Sequence, residues 1–329
     1  MKTIDIHTHI IPREFRKIIQ EDNNFDANFV KNQDKEYILS FNTCGPHPYE
    51  ELFYNLDTRI KYMDSAKVDM QGISVAPRLF HYNFPIEIAK KVAVNSNDEI
   101  NSIVNKYKNR FFAIGTVPLQ DIETSIDELR RIKNEFGFKA IQIGAEVNGK
   151  NISDSEFFPF YQVAEQENII IIIHPFTYGT QKFMDHYYLS NLAGNPIYTT
   201  LAASNLIFSG IFEKLPNLKI VLCHGGGFIP YQMGRLDHGY MVRKESKRNI
   251  VKKPSFYLKN NFYFDTVLHN DMALKFLINL FGSKRVMMGS DFPYDMGENN
   301  PYENVLKLGL QKEDLENIAG LNASNLFLA

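Results

Sequence analysis

The chain has 329 residues, 44% of them hydrophobic and 22% charged, and its 26 Phe and 17 Tyr supply ample apolar side chain for a large core. A formal net charge of −2 and a pI near 6.5 leave no electrostatic footprint for nucleic acid, since basic residues gather only locally at 243–253. No apolar run is long enough to span a bilayer and no export signal precedes the first strand. Cys44 and Cys223 are too few for a disulfide framework, so a cytoplasmic protein with two reduced thiols is expected.

Taken in chain order, short apolar runs rich in β-branched and aromatic residues lie at 3–8, 72–77, 111–117, 139–144, 169–174, 219–224, 262–267 and 286–291. Runs of this kind read as buried parallel strands. The gaps carry helical spacing: Ile88, Val92, Ile100, Ile103 and Tyr107 share one face, as do Ile122, Ile126, Leu129, Ile132 and Phe136. Eight alternations of strand and helix predict an α/β fold, a closed (β/α)8 TIM barrel spanning 1–329 as a single domain. Two inserts interrupt the rhythm, 11–56 after the first strand and 177–196 after the fifth. Both follow strand C-termini, the face where barrel active sites are assembled, and they read as walls of a substrate pocket.

Along a strand, side chains two residues apart share a face, so His7 and His9 in Ile6-His7-Thr8-His9 point together into the barrel. Alone, this pair is weak evidence for a ligand pair and reads more readily as two hydrogen-bonded polar residues near a strand end. Position adds weight: His174, His224 and Asp291 close the fifth, sixth and eighth runs, at the same barrel face. A structural role for His174 as a buried histidine is the alternative. Neutral imidazoles with one carboxylate suit a divalent transition metal, which keeps net positive charge and polarises bound oxygen. Asp291 is placed to ligate such an ion, to hold its water, or both. His224 carries the side chain type that moves protons near neutrality and is the candidate general acid or base. Gly225-Gly226-Gly227 after it offers backbone that can approach a bound group closely. Phe176, Tyr82, Tyr178, Phe292 and Tyr294 are candidate walls for a planar conjugated substrate.

Five segments, Ile4-Asp5-Ile6-His7-Thr8-His9, His174-Pro175-Phe176, Cys223-His224-Gly225-Gly226-Gly227, Gly234-Arg235-Leu236-Asp237 and Met288-Gly289-Ser290-Asp291-Phe292-Pro293, together resemble the amidohydrolase-related metal-dependent decarboxylases. Within that family the pattern is most similar to the aminocarboxymuconate-semialdehyde decarboxylase group. The resemblance covers nearly the whole chain. It implies one divalent metal, zinc first and manganese as the alternative, held by His7, His9, His174 and Asp291, with His224 catalytic and no organic cofactor. It also implies a homodimer in which Arg235 reaches the neighbouring subunit's pocket to bind a substrate carboxylate; a surface ion pair is the other reading of Arg235. The expected reaction is non-oxidative loss of CO2 from a small unsaturated or hydroxyaromatic acid. No Gly-rich dinucleotide fingerprint or phosphate loop speaks for another cofactor.

The resemblance also implies a substrate-binding arginine in the first insert. Counting back from Asp57-Thr58-Arg59-Ile60 puts His47 at that position, a titratable group where a fixed charge is expected. Arg78, just beyond the second run, is the candidate replacement, with an exposed loop arginine as the alternative. A metal-dependent hydrolase or hydratase acting on a lactone or unsaturated dicarboxylate would use the same residues. So would the remnant of one in a catalytically silent binding barrel, although that reading leaves the intact set unexplained.

Overall fold

The computed structural model describes residues 1–329 apart from 22–26, 33–34, 41–46 and 177–181. Cys44 and Tyr178 lie outside the described residues. Eight parallel strands run β1 (Ile4–Ile10), β2 (Met70–Val75), β3 (Phe111–Ala113), β4 (Ala140–Gly144), β5 (Ile170–His174), β6 (Ile220–Leu222), β7 (Phe262–Asp265) and β8 (Val286–Met287). They pair in chain order as β1-β2-β3 and β4-β5-β6-β7-β8. Two bridges, Gly115 with Ile141 and Thr8 with Phe292, join the two sheets at both seams. The seam beside β1 is further tied by the Ile6 amide to the Met288 carbonyl at 2.9 Å and the His9 amide to the Phe292 carbonyl at 2.7 Å. The sheet therefore closes on itself as a (β/α)8 barrel, which leaves no free edge.

Helices Ile86–Lys106 and Ile122–Phe136 bury the faces that their spacing predicts, with Val92, Ile100, Leu129 and Ile132 at 0–1% exposure. A smaller apolar cluster fills the barrel itself, including Ile4, Ile6, Ile114, Ile170, Ile172, Val221 and Met287, and Phe327 stacks on Phe112 at 5.2 Å to close its floor. Within the first insert, helix Arg13–Glu21 is followed by strands Ala27–Asn32 and Lys35–Ser40, an antiparallel pair to which His47–Pro48 adds a third strand. This small sheet carries His47 over the barrel mouth.

The sixth and eighth strands stop earlier than the apolar runs suggest. His224 and Asp291 do not extend those strands but turn out of them in the left-handed region, with φ 56° and 60°. For residues with a Cβ that backbone is strained, and here it redirects both side chains across the mouth. The glycines after His224 serve the same turn. Gly225, Gly226 and Gly227 have φ of 59°, 80° and 62°, and a Cβ on Gly227 would sit 2.3 Å from the Pro196 carbonyl oxygen. Their close neighbours are Leu268, Phe264 and Pro196. The crowding that excludes a side chain there comes from the protein's own packing, while Gly227 lines a cavity with His224 and Asp291.

Candidate metal centre

Strict alternation along β1 would send His7 to the opposite side from Ile6. Instead the β1–β2 register slips between Asp5 and Thr8: Asp5 pairs with Gln71 and Thr8 with Ile73, so Ile6 and His7 together oppose Gly72. This extra residue is a β-bulge, a device that re-aims a side chain. With it, Ile4 and Ile6 pack in the barrel while His7 and His9 both turn towards its mouth.

There the imidazoles meet Asp291. His7, His9, His174 and Asp291 offer one ligand atom each within 4.8 Å of one another. All four residues are buried, at 2%, 0%, 5% and 6% exposure. The Asp291 Oδ1 atom lies 3.2 Å from His7 Nε2, 3.0 Å from His9 Nε2 and 3.8 Å from His174 Nε2. Donors about 2.1 Å from one ion at right angles or tetrahedral angles stand roughly 3.0–3.4 Å apart, a spacing that the His7 and His9 contacts meet and the His174 contact exceeds.

The opposite edges of the rings decide which nitrogen is available. His174 Nδ1 donates to the Pro175 carbonyl at 2.9 Å, His9 Nδ1 faces the Val75 carbonyl at 3.2 Å, and His7 Nδ1 lies 2.6 Å from Asp265 Oδ2. Carbonyls and carboxylates only accept, so each ring carries its proton on Nδ1 and turns the Nε2 lone pair inward. His7 Nε2 and His174 Nε2 are buried without a hydrogen-bond partner, a condition that a cation would relieve. Electrostatics agree with neutral His9 and His174 beside one anion, whereas His7, although burial opposes its charge, is raised well above the usual imidazole range by Cys223, Asp291 and Asp265. Burial pushes His174 down to about 3 and lowers His9. Burial also opposes the Asp291 charge, but His7, His174 and His224 outweigh it and hold that carboxyl well below its usual range.

Asp291 has a second face. Its Oδ2 lies 3.5 Å from His224 Nε2, so one carboxylate joins three imidazoles through one oxygen and His224 through the other.

A family model described as amidohydrolase matches residues 4–328. The chain belongs to the amidohydrolase family. Among its relatives is the 2-amino-3-carboxymuconate-6-semialdehyde decarboxylase of Dictyostelium discoideum, 34% identical over 97% of this chain and 90% of that protein. The gamma-resorcylate decarboxylase of Polaromonas sp. is 26% identical over 82% of this chain and 86% of its own length. Among solved structures, the apo form of the Metarhizium anisopliae IDCase superposes with a TM-score of 0.87 at 23% identity, covering 99% of this chain and 96% of that one. The 5-carboxyvanillate decarboxylase of Novosphingobium aromaticivorans, complexed with manganese and 4-hydroxy-3-methoxy-5-nitrobenzoic acid, gives 0.84 at 24% identity over 100% and 96% of the two chains.

In this amidohydrolase, Arg78 and His47 line one cavity with His174, Asp291, Tyr188 and Tyr294. Arg78 is half-buried and its guanidinium stands 5.9 Å from the Phe176 ring centre, so the reading of an exposed loop arginine is set aside. Arg235 is exposed on helix Ile229–Val242 and does not line the cavity of its own chain. Of the aromatics expected at the mouth, Phe176 and Tyr294 line the cavity. Tyr82 does not; it is 1% exposed, stacks on Phe80, and its oxygen accepts from the Gly144 amide. Phe292 is likewise packed away, stacked on Tyr62 at 4.1 Å.

Two residues that matter to the amidohydrolase site were not singled out in the sequence. Asp265 accepts from His7 Nδ1, from the His224 amide at 2.9 Å, from the Gly225 amide at 2.7 Å and from the Val267 amide at 3.1 Å. It thus orients one imidazole of the cluster and anchors the turn bearing the catalytic candidate. An acidic residue ending an otherwise apolar strand was the available signal. Replacing Asp265 by Asn is expected to weaken metal binding by roughly 10–100-fold, measured by chelator competition, because it removes the partner that fixes the His7 tautomer. Arg59, 0% exposed, donates to the His9 carbonyl at 2.7 Å, Thr8 Oγ1 at 2.6 Å and Gln71 Oε1 at 2.8 Å. Its guanidinium also packs 4.8 Å from the Phe292 ring centre, bracing the two segments that carry His9 and Asp291.

Proposed function

We propose that this amidohydrolase is a metal-dependent carboxy-lyase that releases CO2 without redox chemistry from a small unsaturated or hydroxyaromatic acid. The observation that carries the reading is the division of Asp291, with one oxygen towards His7, His9 and His174 and the other 3.5 Å from His224. One side of the carboxylate serves cation binding and the other a proton-carrying imidazole. The decarboxylase names of the relatives support the same chemistry.

A divalent ion held by His7, His9, His174 and Asp291 supplies Lewis acidity at substrate oxygen. Three imidazoles and one carboxylate suit zinc, taken as the resident ion, and also manganese, which the Novosphingobium structure contains. In the reaction the bond from carbon to the carboxylate breaks, its electron pair is delocalised into the conjugated system, and a proton is added at that carbon as CO2 departs. His224, with Asp291 beside its Nε2, delivers that proton. Arg78 and His47 orient the acid within the cavity, and Phe176 supports a planar substrate from one side. Arg235 completes the neighbouring subunit's pocket in a homodimer; its exposure on helix Ile229–Val242 leaves it available for that contact. Among the described residues no helix is long and apolar enough to cross a membrane; residence in the cytoplasm is part of the proposal.

The test is a panel of hydroxybenzoic and muconate-type acids incubated with metal-loaded protein and with chelator-treated protein. CO2 release that disappears on chelation and returns with zinc or manganese is expected. Lactone hydrolysis or hydration of an unsaturated dicarboxylate with no CO2 from any acid would reject the decarboxylase reading. Arg78→Ala is expected to raise KM roughly tenfold or more with a smaller change in kcat, as befits loss of a charge-assisted contact.

A further inference from the structure

The cavity holds one polar pair of which the tyrosine is left without a task by the reaction scheme. Tyr294 places its hydroxyl 2.9 Å from His47 Nε2. Its ring is wedged among His9, Phe53 and His47, with ring-centre distances of 5.3, 5.3 and 5.5 Å. Packing on these sides fixes the oxygen in place, beside a residue of the metal cluster. His47 is 6% exposed, so the bond is sheltered from competing water. A phenol has one proton and two lone pairs, and the bond to His47 is the only side-chain hydrogen bond of Tyr294 among the described residues. Both residues line the cavity together with Arg78, His174 and Asp291.

We propose that the Tyr294 hydroxyl, oriented by His47, is a specificity determinant that reads an oxygen substituent on the substrate next to the departing carboxylate. The inference rests on the assignment of this cavity as the decarboxylase site. Arg78 answers the charge of the acid, whereas the Tyr294–His47 pair answers the hydrogen-bonding character of the neighbouring position. An acid without oxygen there leaves the remaining hydrogen-bonding capacity of a dry, preorganised hydroxyl unmet, its bond to His47 alone being kept. Sites built this way reject the deficient analogue far more strongly than apolar pockets reject an extra group. The substituent is a hydroxyl or a second carboxylate, since the phenol serves either as acceptor or as donor.

The experiment measures dissociation constants of benzoate, 2-hydroxybenzoate and benzene-1,2-dicarboxylate by calorimetry on metal-loaded wild type, Tyr294→Phe and His47→Gln. Wild type is expected to bind one of the oxygenated acids roughly tenfold tighter than benzoate, and which one identifies the substituent. In Tyr294→Phe, which keeps the ring and its packing, that ratio should fall to within about twofold of unity; His47→Gln should give an intermediate ratio. Equal affinities in wild type, or an undiminished ratio in Tyr294→Phe, would overturn the assignment. CO2 release from the same acids reports on the reaction separately. A ratio that collapses without any CO2 would count against the decarboxylase reading and leave Tyr294 in place, and the reverse pattern would do the opposite.

Discussion

Asp291→Asn is expected to abolish CO2 release and to strip the protein of its metal, two losses from a single pair of atoms. The carboxylate is the only anion in the proposed ligand set, so an amide removes the charge that holds a cation among His7, His9 and His174. The fall in metal affinity should exceed the roughly 10–100-fold that outer partners of ligands account for. The substitution is informative because it keeps shape and backbone. Asp291 sits at φ 60°, and Asn is among the side chains that tolerate the left-handed region, so the turn after β8 gains no new strain. Elemental analysis of the purified variant, with circular dichroism to confirm the fold, checks the expectation. A variant that retains a full equivalent of metal would remove Asp291 from the ligand set.

His224→Asn separates the two functions. The imidazole stands 3.5 Å from Asp291 Oδ2 and is outside the cluster of four converging ligand atoms, so its loss should leave the metal bound. Asn again suits the backbone, here at φ 56°, whereas alanine would carry the strain without a polar side chain to offset it. Removing a positioned proton donor is expected to lower kcat by roughly 10²–10⁴-fold, with KM changing much less. Initial rates at saturating acid, normalised to measured metal content, test this directly. Loss of metal in step with loss of rate would make His224 a ligand, and an unchanged rate would place the proton source elsewhere in the cavity.

The alternation of apolar runs and helical faces predicts the barrel because a parallel strand buried on both sides must be apolar along its length, and Ile170, Ile171, Ile172 and Ile173 satisfy that rule in sequence alone. Likewise His7, His9, His174, His224 and Asp291 can be picked out by residue type and by their place at the ends of those runs. Their convergence could not be read there. His7 faces the mouth because two residues of β1 oppose one of β2, a bulge that depends on pairing with a strand more than sixty positions away. His224 and Asp291 reach each other because both leave their strands with positive φ, and nothing local distinguishes such a turn from one more extended residue.

The cavity wall was less legible again. His47 arrives on a strand of the first insert, and Tyr294 meets it from the far end of the chain, 247 positions on. Tyr82 and Phe292 share the aromatic character of Tyr294 yet are packed away, because burial in a barrel depends on which neighbours fill the space. Sequence by itself determined the strand and helix periods and the chemical types available at the barrel mouth, since both follow from side-chain pattern and local backbone preference. Only the tertiary structure decided which of those groups share a few ångströms, because that depends on long-range register, one bulge and two strained turns.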